Sequence, residues 1–61
     1  MPVITIEGPQ LSIEQKRELV QAVTESASNV MEMPKHSIIV MIKEIDRENV
    51  GVGGLLLSDK K

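Results

Sequence analysis

The run Ile38-Ile39-Val40-Met41-Ile42 constrains this chain more than any other feature. It is too short for a typical helix and rich in β-branched side chains, so with Ser37 ahead of it the segment reads as a strand. Its lack of alternation predicts a strand covered on both faces. Residues 2 to 7 read as another strand, in which Val3 and Thr5 fall on one face and Ile4 and Ile6 on the other. Gly8-Pro9 breaks it. Ser12-Ile13-Glu14-Gln15 then has the S-x-x-Q form of a capping box, which starts a helix at Ser12. Leu19, Val20, Val23, Ala27, Val30 and Met31 recur at helical spacing, whereas Glu14, Lys16, Arg17, Glu18, Gln21 and Glu25 supply the polar surface. The helix should run to about Glu32, where Met33-Pro34 stops it. The segment from Asn49 to Leu57 reads as a turn or short hairpin whose apolar end needs a partner.

Strand, helix and strand within about 45 residues make a β-α-β unit, whose crossover geometry makes the strands parallel. The expected class is therefore α/β (α+β): a single β-α-β unit with a short C-terminal hairpin, forming one domain over residues 1–61. A chain of 61 residues buries only about 60% of the surface its unfolded form exposes. Small domains obtain further stability from disulfides, metals or assembly. This chain has no cysteine and one histidine, His36, which leaves assembly. Two chains are expected to pair their sheets and the dimers to assemble further, because a lone two-stranded parallel sheet leaves an apolar face and two open edges.

Composition excludes several functions. A net charge of −2 and the absence of Phe, Tyr and Trp argue against nucleic acid as a partner, since neither a basic surface nor stacking platforms are present. No apolar run approaches the ~18 residues of a membrane span. Nothing resembles a leader segment, so the expected location is cytoplasmic. His36 has no second histidine or cysteine for a metal and follows Pro34-Lys35 in what reads as an exposed loop. Gly51-Val52-Gly53-Gly54 lacks the lysine and the strand-to-helix context of a phosphate-cradling loop, and reads as a turn.

Pro2 stands directly behind Met1. Its plain role is to begin a strand, where a missing N–H does no harm. If Met1 is removed, however, its nitrogen changes from a tertiary amide to a secondary amine. A free α-amino group titrates at roughly 7.7 to 8.0, so modest desolvation would poise it for proton transfer at neutral pH.

Pro2 opening a short strand, Ser12-Ile13-Glu14-Gln15-Lys16 opening the helix, Pro34 before the second strand, Glu44 at its end, and Val50-Gly51-Val52-Gly53-Gly54 near the terminus occur together. In this order and spacing the chain resembles the 4-oxalocrotonate tautomerase family over essentially its whole length. The resemblance implies a β-α-β subunit, usually a hexamer built from three dimers, with the amino-terminal proline as general base. Such an enzyme moves a proton between carbons of an enol or unsaturated keto acid without metal or organic cofactor.

Three departures stand at the substrate-binding positions that the resemblance implies. Leu11 and Ile39 occupy places where members acting on dicarboxylate dienols carry arginines, and Val50 replaces a phenylalanine. Arginine binds a carboxylate bidentately and stabilises an enolate, which Leu11 and Ile39 cannot do. Apolar neighbours such as Ile39 and Val50 would still lower the pKa of the amine. The expectation is a base acting on small keto-enol substrates such as aromatic pyruvates or other monocarboxylates. Lys16, Arg17 and Lys43 are candidate replacements for the arginines, against plainer roles on a solvated helix face or at a strand end. Glu44 either accepts a proton from substrate or forms a structural ion pair. The alternative function is a non-catalytic oligomeric assembly module that retains the fold.

Overall fold

The computed structural model describes residues 1–59 of the chain; Lys60 and Lys61, the end of the expected domain, lie outside the described residues. Strand β1 (Val3–Gly8), helix α1 (Ile13–Met31) and strand β2 (Ile39–Glu44) form the β-α-β unit. The strands are parallel, in a register from Val3 opposite Ile39 to Gly8 opposite Glu44. The ladder reaches one bond past each end: Ile39 N–H donates to the Pro2 carbonyl at 3.0 Å, and Ile45 N–H to the Gly8 carbonyl at 2.9 Å.

Local chemistry sets the helix ends. Ser12 Oγ accepts from Gln15 N–H at 3.1 Å while Gln15 Oε1 accepts from Ser12 N–H at 3.0 Å, so the capping box closes reciprocally. At the other end Glu32 turns left-handed, with φ of 55°, and its N–H returns to the Ser28 carbonyl. Met33 N–H donates to the same carbonyl at 3.2 Å, and the Ser28 hydroxyl donates to the Met33 carbonyl. The chain then leaves the helix ahead of Pro34, as the sequence predicts.

The strand boundaries shift. Strand β1 begins at Val3 rather than Pro2, which has no N–H for a ladder, and extends to Gly8. Strand β2 begins at Ile39 because Lys35–Ser37 form a 3₁₀ turn, in which both the backbone N–H (3.0 Å) and the hydroxyl (2.8 Å) of Ser37 donate to the Pro34 carbonyl.

Helix α1 lies against β2. The core gathers on one sheet face, where Ile38 is buried and Ile4, Ile6, Val40 and Ile42 are half-buried along with Leu19, Val20, Val23 and Ala27 of the helix. The other face is open within one chain, as a lone two-stranded sheet requires: β2 is covered on one side only. Val3, Ile39 and Met41 remain 55%, 38% and 49% exposed on the open side. The end of the helical stripe is corrected, since Val30 is 82% exposed. Nineteen helical residues span ~28 Å against ~20 Å for six strand residues, so the last turn of α1 overhangs the sheet.

The C-terminal hairpin forms as expected. Strands β3 (Gly51–Val52) and β4 (Leu55–Leu56) pair antiparallel, apart from the β1-β2 sheet. Gly53 and Gly54 join them with φ of 63° and 87°, the two successive positive values of a type I′ turn, in which glycine carries no steric penalty. Leu57 N–H donates to the Val50 carbonyl at 2.8 Å and closes the base of the hairpin. Among the described residues no helix is long and apolar enough to cross a membrane.

Candidate active site

Pro2 is half-buried at the start of β1, held through its carbonyl by Ile39 N–H. Met1 ahead of it is 85% exposed, and while it remains attached the Pro2 nitrogen is an amide. Ile39 lies at the same end of the sheet, opposite Val3. Its backbone is thereby joined to the proline, while its side chain shares the open face with Val3.

Leu11 and Val50 stand at the far end. Leu11 N–H donates to Glu44 Oε2 at 3.0 Å, and Glu44 pairs in register with Gly8. Val50 follows the 3₁₀ turn Arg47–Asn49 and lines a cavity of about 300 Å³ together with Gly8, Pro9, Ile45, Arg47 and Leu57. Six residues of extended chain separate Pro2 from Gly8, or ~20 Å. One chain thus brings Pro2 to Ile39 and leaves Leu11 and Val50 at the opposite end.

Glu44 is already occupied. Lys16 Nζ donates to its Oε1 at 2.8 Å while Leu11 N–H takes Oε2, and Gln10 Nε2 donates to Asp46 Oδ1 beside them. The lysine bond and then the Leu11 amide hold the Glu44 carboxyl below its ordinary pKa. These contacts clamp the loop before α1 onto the end of β2, which is the structural role of the two considered for Glu44. They also correct the placement of Lys16. It folds half-buried onto the sheet end instead of standing on the solvated face of the helix. Arg17 is exposed on α1, and Lys43 is exposed on the open sheet face opposite Glu7.

His36 sits in the exposed Lys35–Ser37 turn, and among the described residues no group of His, Cys, Asp or Glu side chains could hold a metal ion. Sequence reasoning passed over Arg47. It lines the cavity that holds Val50, and its Nη2 donates to the Leu57 carbonyl at 2.9 Å. The available signal was a cation three residues ahead of Val50, a position that the resemblance turns towards substrate, in the short link between β2 and the glycine turn.

A family model described as "Tautomerase enzyme" matches residues 2–60. The chain belongs to the tautomerase family. Among its relatives, a probable tautomerase of Bacillus cereus is 36% identical over 61 residues, covering 98% of this chain and 100% of the relative. Among solved structures, DmpI from Archaeoglobus fulgidus is 41% identical with a TM-score of 0.88, covering 95% of this chain and all of that one. YwhB, a homologue of 4-oxalocrotonate tautomerase, is 33% identical with a TM-score of 0.92, covering 98% of this chain and 100% of that one. The tautomerase fold of this chain, a parallel β-α-β unit followed by an antiparallel hairpin, agrees with these structures over nearly its full length.

Proposed function

We propose that this tautomerase acts through the Pro2 nitrogen, freed by removal of Met1, as the general base in the cofactor-independent isomerisation of small enol or unsaturated keto acids. The observation that carries the reading is the setting of Pro2. Its carbonyl is tied into the ladder by Ile39 N–H at 3.0 Å, whereas the residue attached to its nitrogen is 85% exposed. The ring is anchored on one side and open on the side where chemistry takes place.

In ketonisation the nitrogen lone pair takes the enol O–H proton. The C=O bond forms as the C=C electron pair shifts onto carbon, and the protonated amine returns its proton to that carbon. Nothing is gained or lost overall. Cover of the open face by another copy of the chain would desolvate the amine, disfavouring its charged form as suits a proton shuttle at neutral pH.

A substrate touching Pro2, Ile39, Leu11 and Val50 needs more than one copy of the chain, because the two pairs lie at opposite ends of the sheet. The open face carrying Val3, Ile39 and Met41 supports assembly of the chain into a homo-oligomer. The hexamer is the form that the resemblance implies.

The second reading is a non-catalytic assembly module, favoured by Leu11 and Ile39 where arginines would bind a dicarboxylate. One comparison decides between them. The processed protein and a form with an extra residue ahead of Pro2 are given phenylenolpyruvate, and ketonisation is followed against pH. The free amine should accelerate the reaction about 10²- to 10⁴-fold relative to the blocked form. Equal rates would remove Pro2 as the base and leave the module.

A further inference from the structure

The cavity around Val50 has apolar walls formed by Pro9, Ile45, Val50 and Leu57, with Arg47 among them. We propose that Arg47 is the specificity-determining residue of this site, binding the single carboxylate of a 2-enol acid whose remainder is apolar. The inference rests on the reading of Pro2 as the base, supplied by another copy of the chain.

Three observations converge on Arg47. First, it shares its cavity with Val50, a position that the resemblance turns towards substrate. Second, its side chain is held in place, since Nη2 donates to the Leu57 carbonyl at 2.9 Å. A guanidinium carries five N–H donors in a rigid fork, so four remain to grip a carboxylate in the paired geometry that arginine favours. Third, it has no carboxylate partner among the described residues. The ion pairs among the described residues are Lys16 with Glu44 and Lys35 with Glu25.

The other cations among the described residues are placed less well. Lys16 is engaged by Glu44, and Arg17, exposed like Arg47, stands on the helix and is not among the residues lining the Val50 cavity. Lys43 stands on the open sheet face beside its in-register neighbour Glu7. Glu7 also lines the Val50 cavity, and with a single arginine there its negative charge leaves room for no more than one substrate carboxylate. With Leu11 and Ile39 apolar, one arginine fits one carboxylate. The substrate class is thus a monocarboxylic 2-enol acid with an apolar tail, in preference to a dicarboxylate.

The test compares phenylenolpyruvate with its methyl ester, which keeps the enol and lacks the charge, in the processed enzyme and in Arg47→Gln and Arg47→Lys. Glutamine can still donate to the Leu57 carbonyl but carries no charge. Arg47→Gln should lower the preference for acid over ester in kcat/KM roughly tenfold or more, with the loss falling on KM for the acid, as expected for a lost charge-assisted hydrogen bond. Arg47→Lys should fall between, keeping the charge without the fork. A preference that does not change, or an equal loss on both substrates, would overturn the proposal and leave Arg47 a hairpin anchor.

If Arg47→Gln does not assemble like the parent in sedimentation, Arg47→Lys carries the same comparison. Calorimetric binding of cinnamate, a non-reacting acid, reads Arg47 without reference to Pro2. Weaker cinnamate binding in the variant alongside equal rates in blocked and free forms would sustain Arg47 and sink only the base. Unchanged cinnamate affinity overturns the role of Arg47 whatever the amine does.

Discussion

Replacing Met41 by aspartate tests the idea that the open sheet face is where copies of the chain meet. Met41 lies mid-strand, in register with Thr5 and two residues beyond Ile39, and is 49% exposed. Burying a whole methionine side chain contributes about 1.5–3 kcal/mol, so covering the exposed half contributes about 1 kcal/mol per copy. Where two copies meet face to face the loss is about 2 kcal/mol, or roughly a thirtyfold rise in the dissociation constant. Each buried, unpaired aspartate adds several kcal/mol to that. Met41→Asp should therefore dissociate at concentrations where the parent stays assembled, while Met41→Leu, which conserves shape and polarity, stays assembled. Sedimentation velocity over a concentration series reads both, and far-ultraviolet circular dichroism reports whether the subunit still folds. If Met41→Asp sediments as the parent does, this face is not the interface. A folded parent that is monomeric at micromolar concentration would refute the whole line of reasoning about assembly.

Two further outcomes are expected. Ile39→Arg places a cation beside Pro2 at the position where the resemblance expects one, and should raise kcat/KM for dicarboxylate enols while leaving the fold intact; a folded variant with no gain would show that a charge there does not reach substrate. The Glu44 carboxyl is held below its ordinary value near 4.5, so its ion pair with Lys16 adds stability above that value, and the contribution is lost as pH falls through the lowered pKa. Glu44→Gln should accordingly flatten the acid limb of the stability curve, and equal pH dependence of urea unfolding in the two proteins would count against the clamp.

Much of the fold was legible because local chemistry and tertiary structure agree. The Ser12-Gln15 box, the stop at Met33-Pro34 and the paired glycines of the hairpin turn each act over a few residues, and each appears where the pattern predicts. The rest was less legible where the signal depended on distance. Apolar character in Ile39 and Met41 says that a side chain needs cover, but not whether cover comes from the same chain. Val30 keeps helical spacing after the helix has run past its sheet. Lys16 looked like solvated surface because its partner Glu44 is 28 residues away. The site was harder still. Pro2, Leu11, Ile39 and Val50 could be picked out by resemblance, yet their division between two ends of a sheet follows only from the register. Arg47 stayed hidden because nothing in its neighbours in sequence reveals that it and Val50 wall one cavity.

The bond from Ile39 to the Pro2 carbonyl separates folding from maturation. The ladder ends on an oxygen of residue 2, so cleaving the peptide bond ahead of it removes no strand hydrogen bond. On the proposed reading of Pro2 as the base, a population of chains can then be fully folded while chemically inert. Melting temperature, spectra and sedimentation would pass it as sound, and a mass difference of one methionine would be the mark that distinguishes it. If the proposal holds, competence belongs to the history of a single peptide bond rather than to the shape of the molecule.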